Sequence, residues 1–211
     1  MAESTKEAIL DAAEEYFAEL GFEKTSLRKI TQGAGANLAA VNYHFGSKSE
    51  LFAAVLERQF NPINKARKEG LENYLSSLKT GEKPDPKKLL DLFVRAPVLH
   101  FHSFGEKGST LCKILGRSLF EPNEVVQKAK EKTFREVFQG FHRAFQMAFP
   151  DQSPQHVSWK MSLVIGMLHF QFNHFSQGNH APWSQKLEPE EFIGRIVSFA
   201  EPGFFADFPS T

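Results

Sequence analysis

The segment TSLRKITQGAGANLAAVNYHFGSKSELF, Thr25 to Phe52, leaves its backbone few choices. Thr25 or Ser26 can cap a first helix by accepting an orphan backbone N–H, and Leu27 and Ile30 give that helix one apolar edge before Gly33 weakens it. Ala34, Gly35 and Ala36 make a turn in which Gly35 tolerates positive φ and its small neighbours let two helices approach. Asn37 caps a second helix over Leu38 to about His44, and Ser47 with Glu50 forms a capping box that starts a third. Two short helices around a tight turn, followed at once by another helix, are the expected local fold.

That layout is the one used by helix-turn-helix DNA readers. From Lys24 through Ser49 there is no Asp or Glu, while Lys24, Arg28, Lys29 and Lys48 all fall inside. The whole chain balances 25 Lys and Arg against 25 Asp and Glu, so any phosphate-compatible surface is local and not a polybasic coat. On a helical wheel Val41 and Phe45 point one way with Leu38 beside them, whereas Ala39 and Tyr43 point outward, flanked by Ala40 and Asn42. Small outward residues let a helix sink into a major groove, Asn42 can pair with an adenine edge, and Tyr43 and His44 can reach phosphates. Lys48, fixed in the first turn of the next helix, faces solvent or a phosphate.

The pair Thr25-Ser26, Ile30, the run AGANLAAVNYHFGSKSELF and an amphipathic helix ending at Gly21-Phe22 resemble the N-terminal domain of the TetR/AcrR transcriptional regulators over roughly the first quarter of the chain. The resemblance implies an all-helical homodimeric repressor of double-stranded operator DNA: a helix-turn-helix domain over residues 1–50 and a helical effector-binding and dimerisation domain over 51–211. Carried across residue by residue, it implies phosphate contacts at Thr25, Ser26, Asn37, Tyr43, His44 and Lys48, and base-reading positions at Arg28, Leu38, Ala39, Ala40 and Asn42. The chain departs from the common pattern where Ala40 replaces a frequent threonine and Asn42 a frequent tyrosine.

The rest of the chain reads as helices. A first helix runs from the Ser4–Glu7 capping box to Gly21, with Ile9, Leu10, Ala13, Phe17 and Leu20 at helical spacing. The helix that starts at Ser47 continues past a kink at Pro62 toward Leu78, and Asp85-Pro86 opens a fifth that reaches about His102. Leu111 to Phe120 forms a short helix, Pro122-Asn123 opens a long one to about Phe149, and another spans about Gln155 to Gln177. A last helix begins at Pro189 and ends before Pro202-Gly203. No alternating strand pattern is present, so the fold class is all-α with nine or so helices.

Phenylalanine supplies 22 residues, most of them after Leu92. Phe134, Phe138, Phe141 and Phe145 share one helix face and read first as core packing. Collectively such rings can also line an apolar effector cavity, placed at Phe101, Phe104, Phe138, Phe141, His142 and Phe170. NLAAVNYHFGSK and the FREVFQGF region further resemble fatty-acid-responsive members of the family, which implies a long-chain fatty acid or its acyl thioester as effector. Stripes at Trp159, Leu163, Gly166, Met167 and Phe170, and at Ile193, Ile196, Val197 and Ala200, either close the monomer core or meet their copies in a dimer. The resemblance implies the dimer.

Other chemistries find no support. His100 and His102 are two apart and His169 and His174 five apart, so neither pair chelates from one helix face, and no metal or cofactor is expected. No nucleophile–base pair, phosphate-cradling glycine loop or paired-carboxylate motif is visible, and an enzyme is not expected. The single cysteine, Cys112, excludes an internal disulfide and reads as a small buried hydrophobe suited to a reducing cytoplasm. The N-terminus lacks a secretory pattern and no run approaches the ~20 apolar residues that span a bilayer, so a soluble cytoplasmic protein without membrane partners is expected. The rival reading is a small-molecule-binding helical protein whose head mediates protein interaction and does not read sequence.

Overall fold

The computed structural model describes residues 2–103, 110, 113–114, 122–176 and 187–206. Among them are eight helices and no strand: α1 Ala2–Lys24, α2 Leu27–Gly33, α3 Leu38–Phe45, α4 Lys48–Ser77, α5 Pro86–Ser103, α6 Glu124–Ala148, α7 Pro154–Ser176 and α8 Pro189–Phe205. The short helix expected over Leu111 to Phe120, Cys112 and Phe104 all lie outside the described residues.

Helices α1 to α3 and the first half of α4 share one core. Gly21 breaks α1 with a φ of 79°, which turns Phe22 back onto Phe52 at 5.2 Å between ring centroids, while Phe17 meets Phe52 edge-on at 5.0 Å. Ile30 of α2 and Val41 and Phe45 of α3 complete this cluster. Ser26, Asn37 and Ser47 each accept a backbone N–H as helix caps, at Lys29, Ala40 and Glu50. Gly35 takes the positive φ, 60°, that the turn requires. Gly33 has a further reason to lack a side chain, since a Cβ there would stand 2.9 Å from the Tyr16 ring.

The 30-residue α4 runs through Pro62 and extends about 45 Å at 1.5 Å per residue. Its first half packs on the head, and its second half lies against α5 and α6. Arg58 fastens it to α1 through Asp11 at 2.8 Å, Glu14 at 2.5 Å and Glu7 at 3.3 Å. Asn123, which caps α6 through Val125 and Val126, also donates to Glu23 at the end of α1.

Helix α8 packs along α5, and Phe204 stacks on Phe145 of α6 at 4.5 Å. That packing carries α8 beyond its expected end before Pro202, to Phe205. The nearly buried Lys160 amine donates to the Phe204 and Ala206 carbonyls, which satisfies acceptors left over at the end of α8. Ile193, Ile196, Val197 and Ala200 are all buried, so the α8 stripe closes the monomer core. On α7 the core face is Val157, Met161, Val164, Leu168 and Phe172; Trp159, Leu163 and Phe170 lie on the surface.

Candidate functional site

Two regions hold the residues singled out by sequence: the outer face of α2 and α3, and a cavity in the helical body.

At α3 the wheel assignment of Val41 and Phe45 holds, for both are buried. Leu38, expected beside them, is instead 51% exposed. It joins Ala39, Asn42 and Tyr43 on the surface, with Ala40 and His44 half-buried, and Tyr43, at 84%, is the most exposed large hydrophobic side chain among the described residues. Arg28, Ser26 and Asn37 are exposed as well, although the Ser26 hydroxyl and the Asn37 carbonyl oxygen already serve as caps.

Two residues make contacts within the head that the sequence does not suggest. Thr25 is buried, and its hydroxyl donates to the Gly21 carbonyl at 2.7 Å and the Tyr16 carbonyl at 3.0 Å, so it closes the break in α1 instead of facing a phosphate. The Lys48 amine, expected toward solvent or phosphate, reaches back to the Glu23 carbonyl at 3.3 Å and lies 4.3 Å above the Phe22 ring. It thereby ties the start of α4 to the end of α1.

The cavity, of about 340 Å³, lies between α4, α5, α6 and α7. Phe60 and Ile63 of α4, Phe93, Pro97 and Phe101 of α5 make two of its walls. Phe134, Val137 and Phe138 of α6 and Ile165, Leu168 and Phe172 of α7 make the others. Edge-to-face pairs hold the rings: Phe60 with Phe134 at 5.0 Å and Phe101 with Phe172 at 4.4 Å.

Of the six residues expected here, Phe101 and Phe138 line the cavity. Phe141 does not, because it is fully buried against Phe93 on the neighbouring turn. His142 donates through Nε2 to the Pro154 carbonyl, 3.0 Å away, and Phe170 is 62% exposed on the surface of α7. Phe104 lies outside the described residues.

Polar lining comes from residues that sequence reasoning passed over. Arg67 of α4 faces the cavity, donates through Nε to the Phe93 carbonyl at 2.8 Å and lies with its guanidinium 4.4 Å from the Phe93 ring centre. Half-buried and poorly hydrated among protein groups, it has its pKa lowered by desolvation to about 9. Lys130 of α6 is also depressed by burial. His169 of α7 is lowered to about 4, first by desolvation and then by the charges of Lys130 and Arg67, and its Nδ1 is buried without a hydrogen-bond partner. Gln127 and Glu131 complete the polar rim, with Glu131 turned to Arg135 at 2.7 Å. The available signal was spacing: Phe60, Ile63 and Arg67 fall on one face of α4, as Val126, Lys130, Phe134 and Val137 do on α6.

Comparison with known proteins places this architecture. The family model for the tetracyclin repressor-like C-terminal domain matches residues 91–203, and that for bacterial regulatory proteins of the tetR family matches residues 9–55. The chain belongs to the TetR family. TetR-family proteins are DNA-binding transcriptional regulators and not enzymes. Among curated relatives, the HTH-type transcriptional regulator AcrR of Shigella flexneri is 39% identical over 56 residues, 26% of either chain. The HTH-type transcriptional repressor BepR of Brucella suis biovar 1 is 39% identical over 57 residues, 27% of either chain. The matching stretch thus spans about a quarter of these relatives' length. Over the whole fold, NalD, the secondary repressor of the MexAB-OprM multidrug efflux pump in Pseudomonas aeruginosa, aligns with a TM-score of 0.65 and 25% identity across 95% of each chain. HlyIIR, a hemolysin II transcriptional regulator, aligns with a TM-score of 0.58 and 19% identity over 94% of this chain and 98% of that one.

Among the described residues no helix is long and apolar enough to cross a membrane, and no group of three or more His, Cys, Asp or Glu is placed to hold a metal.

Proposed function

We propose that this TetR-family chain is a cytoplasmic homodimeric repressor that binds a pseudo-palindromic operator through α3 and leaves it when a small apolar-bodied effector fills the cavity. The observation that carries the reading is the continuity of α4, whose first turn adjoins the reader helix and whose residues Phe60, Ile63 and Arg67 form a cavity wall. A ligand that moves this wall moves the head, because Arg58 and Phe52 fasten α4 to α1.

In this account Arg28, Leu38, Ala39, Ala40 and Asn42 meet base edges, while Ser26, Asn37, Tyr43 and His44 meet phosphates, with Lys48 drawn to phosphate from its resting place over Phe22. Exposed Trp159, Leu163 and Phe170 on α7, and Phe199 on α8, supply the dimer face. Two heads then occupy half-sites ~34–36 Å apart. The phenylalanine walls suit a fatty acid or its acyl thioester; at ~30 Å³ per water-sized group, the 340 Å³ cavity holds an acyl chain of about ten carbons. Burial of ten methylenes at ~0.8 kcal/mol each gives roughly 8 kcal/mol before ordering costs.

The test is selection of bound fragments from a genomic DNA pool. Enrichment of an inverted repeat bound by two chains supports the reading; retention of all fragments alike, or of none, favours a head that serves protein interaction.

A further inference from the structure

The cavity has apolar walls and a group of basic side chains, Arg67, Lys130 and His169, and among the described residues no carboxylate reaches Arg67. Arg58, Arg95, Arg135 and Arg195 each pair with a carboxylate. Arg67, in the protein interior, has only the Phe93 carbonyl and the Phe93 ring, and among the described residues no carboxylate reaches it. The one acidic residue in the cavity lining, Glu131, is engaged by Arg135 on the surface. A guanidinium buried without a counter-charge is costly to the fold. Such a cost is recovered when a ligand brings the missing charge.

We infer that the cavity takes an amphipathic anion whose carboxylate seats on Arg67, with Lys130 and His169 beside it and its apolar body against Phe60, Phe101 and Phe138. Arg67 is held by its Nε bond and by the ring beneath it, which leaves its terminal N–H groups to grip a carboxylate in the two-pronged geometry that guanidinium favours. His169 adds a buried Nδ1 with no partner, a position that a ligand oxygen or a bound water would satisfy. Burial first, and then the charges of Lys130 and Arg67, disfavour the protonated imidazole, so the three side chains lie close enough to act on one head group. The free acid is therefore the ligand; a thioester, which is uncharged at that carbonyl, lacks the group Arg67 needs.

This inference rests on the cavity being the effector site, and the experiment separates the two. Calorimetric titration of the full chain uses decanoate, 1-decanol and decyltrimethylammonium, which share a chain and differ in head charge. Decanoate binds at least about tenfold more tightly than decanol, the margin expected of one charge-assisted contact, and the ammonium binds least. Arg67→Met lowers decanoate affinity by a similar factor and leaves decanol affinity unchanged; should that variant not fold, the three ligands on the unaltered chain still decide. Equal affinity for decanoate and decanol overturns the anion inference while leaving the cavity a ligand site. Binding of none of the three overturns both. Tight decanoate binding without release of operator DNA upholds the anion site and removes its role as the effector site.

Discussion

Lowering the pH should destabilise this fold through His169 in a window that its burial defines. The imidazole is neutral in the folded protein, with a pKa depressed from 6.5 to about 4 by desolvation and by Lys130 and Arg67. Above pH 6.5 it is neutral folded or unfolded and has no effect. As the pH falls below 6.5 the unfolded chain takes up the proton first, so stability falls until the folded form also protonates near pH 4. At ~1.4 kcal/mol per pH unit the loss across that window is roughly 3 kcal/mol. The charged groups that act on the ring are Lys130 from α6 and Arg67 from α4. Urea unfolding followed by circular dichroism between pH 7.5 and 4.5, on the parent and on His169→Asn, isolates this contribution. The difference cancels that of His100, whose pKa burial also lowers. The parent should lose about 2 to 3 kcal/mol more than the variant on passing from pH 7 to 4.5, and saturating decanoate should shrink that loss by stabilising the protonated ring. A difference that stays flat across the range refutes the buried, neutral His169.

Replacing Thr25 with Val keeps the shape but removes the bonds to Gly21 and Tyr16; about 1–3 kcal/mol of stability should be lost in thermal melts, with operator affinity of the folded protein unchanged. Asn42→Ala should weaken binding mainly to the preferred operator, whereas Lys48→Ala should weaken binding to all sequences and flatten the salt slope; anisotropy titrations at several salt concentrations distinguish the two. Leu163→Glu and Phe199→Glu, both at exposed sites, should yield folded monomers by light scattering, while Ile196→Glu, in the core, should unfold the chain.

The head was legible because its determinants are local. Ser26, Asn37 and Ser47 cap the next few residues, and Gly35 supplies a turn within its own neighbourhood, so each acts without knowledge of distant partners. Thr25 read equally well as a cap or a phosphate ligand; only the break at Gly21 brings the Tyr16 and Gly21 carbonyls to its hydroxyl. The body was less legible because its helices are apolar on more than one face. Periodicity placed Phe138 and Phe141 on one stripe of α6, yet the first meets the cavity and the second meets Phe93, a distinction set by where α5 crosses. On α7 the stripe through Trp159, Leu163 and Phe170 and that through Val157, Met161, Val164 and Leu168 are both hydrophobic, and the choice between them comes from packing. Beyond their spacing, Arg67 and Lys130 carry no sequence signal of a cavity position, because a charged residue in an amphipathic helix is ordinarily on its outer face.

The central claim is that the cavity and the reader helix are coupled through α4, and linkage makes that claim measurable from either side. The operator dissociation constant is measured with and without saturating decanoate, and the decanoate constant with and without saturating operator. The same factor is expected in both directions, on the order of 100-fold and about 3 kcal/mol of coupling. Operator and decanoate bound together, each with unaltered affinity, would contradict it.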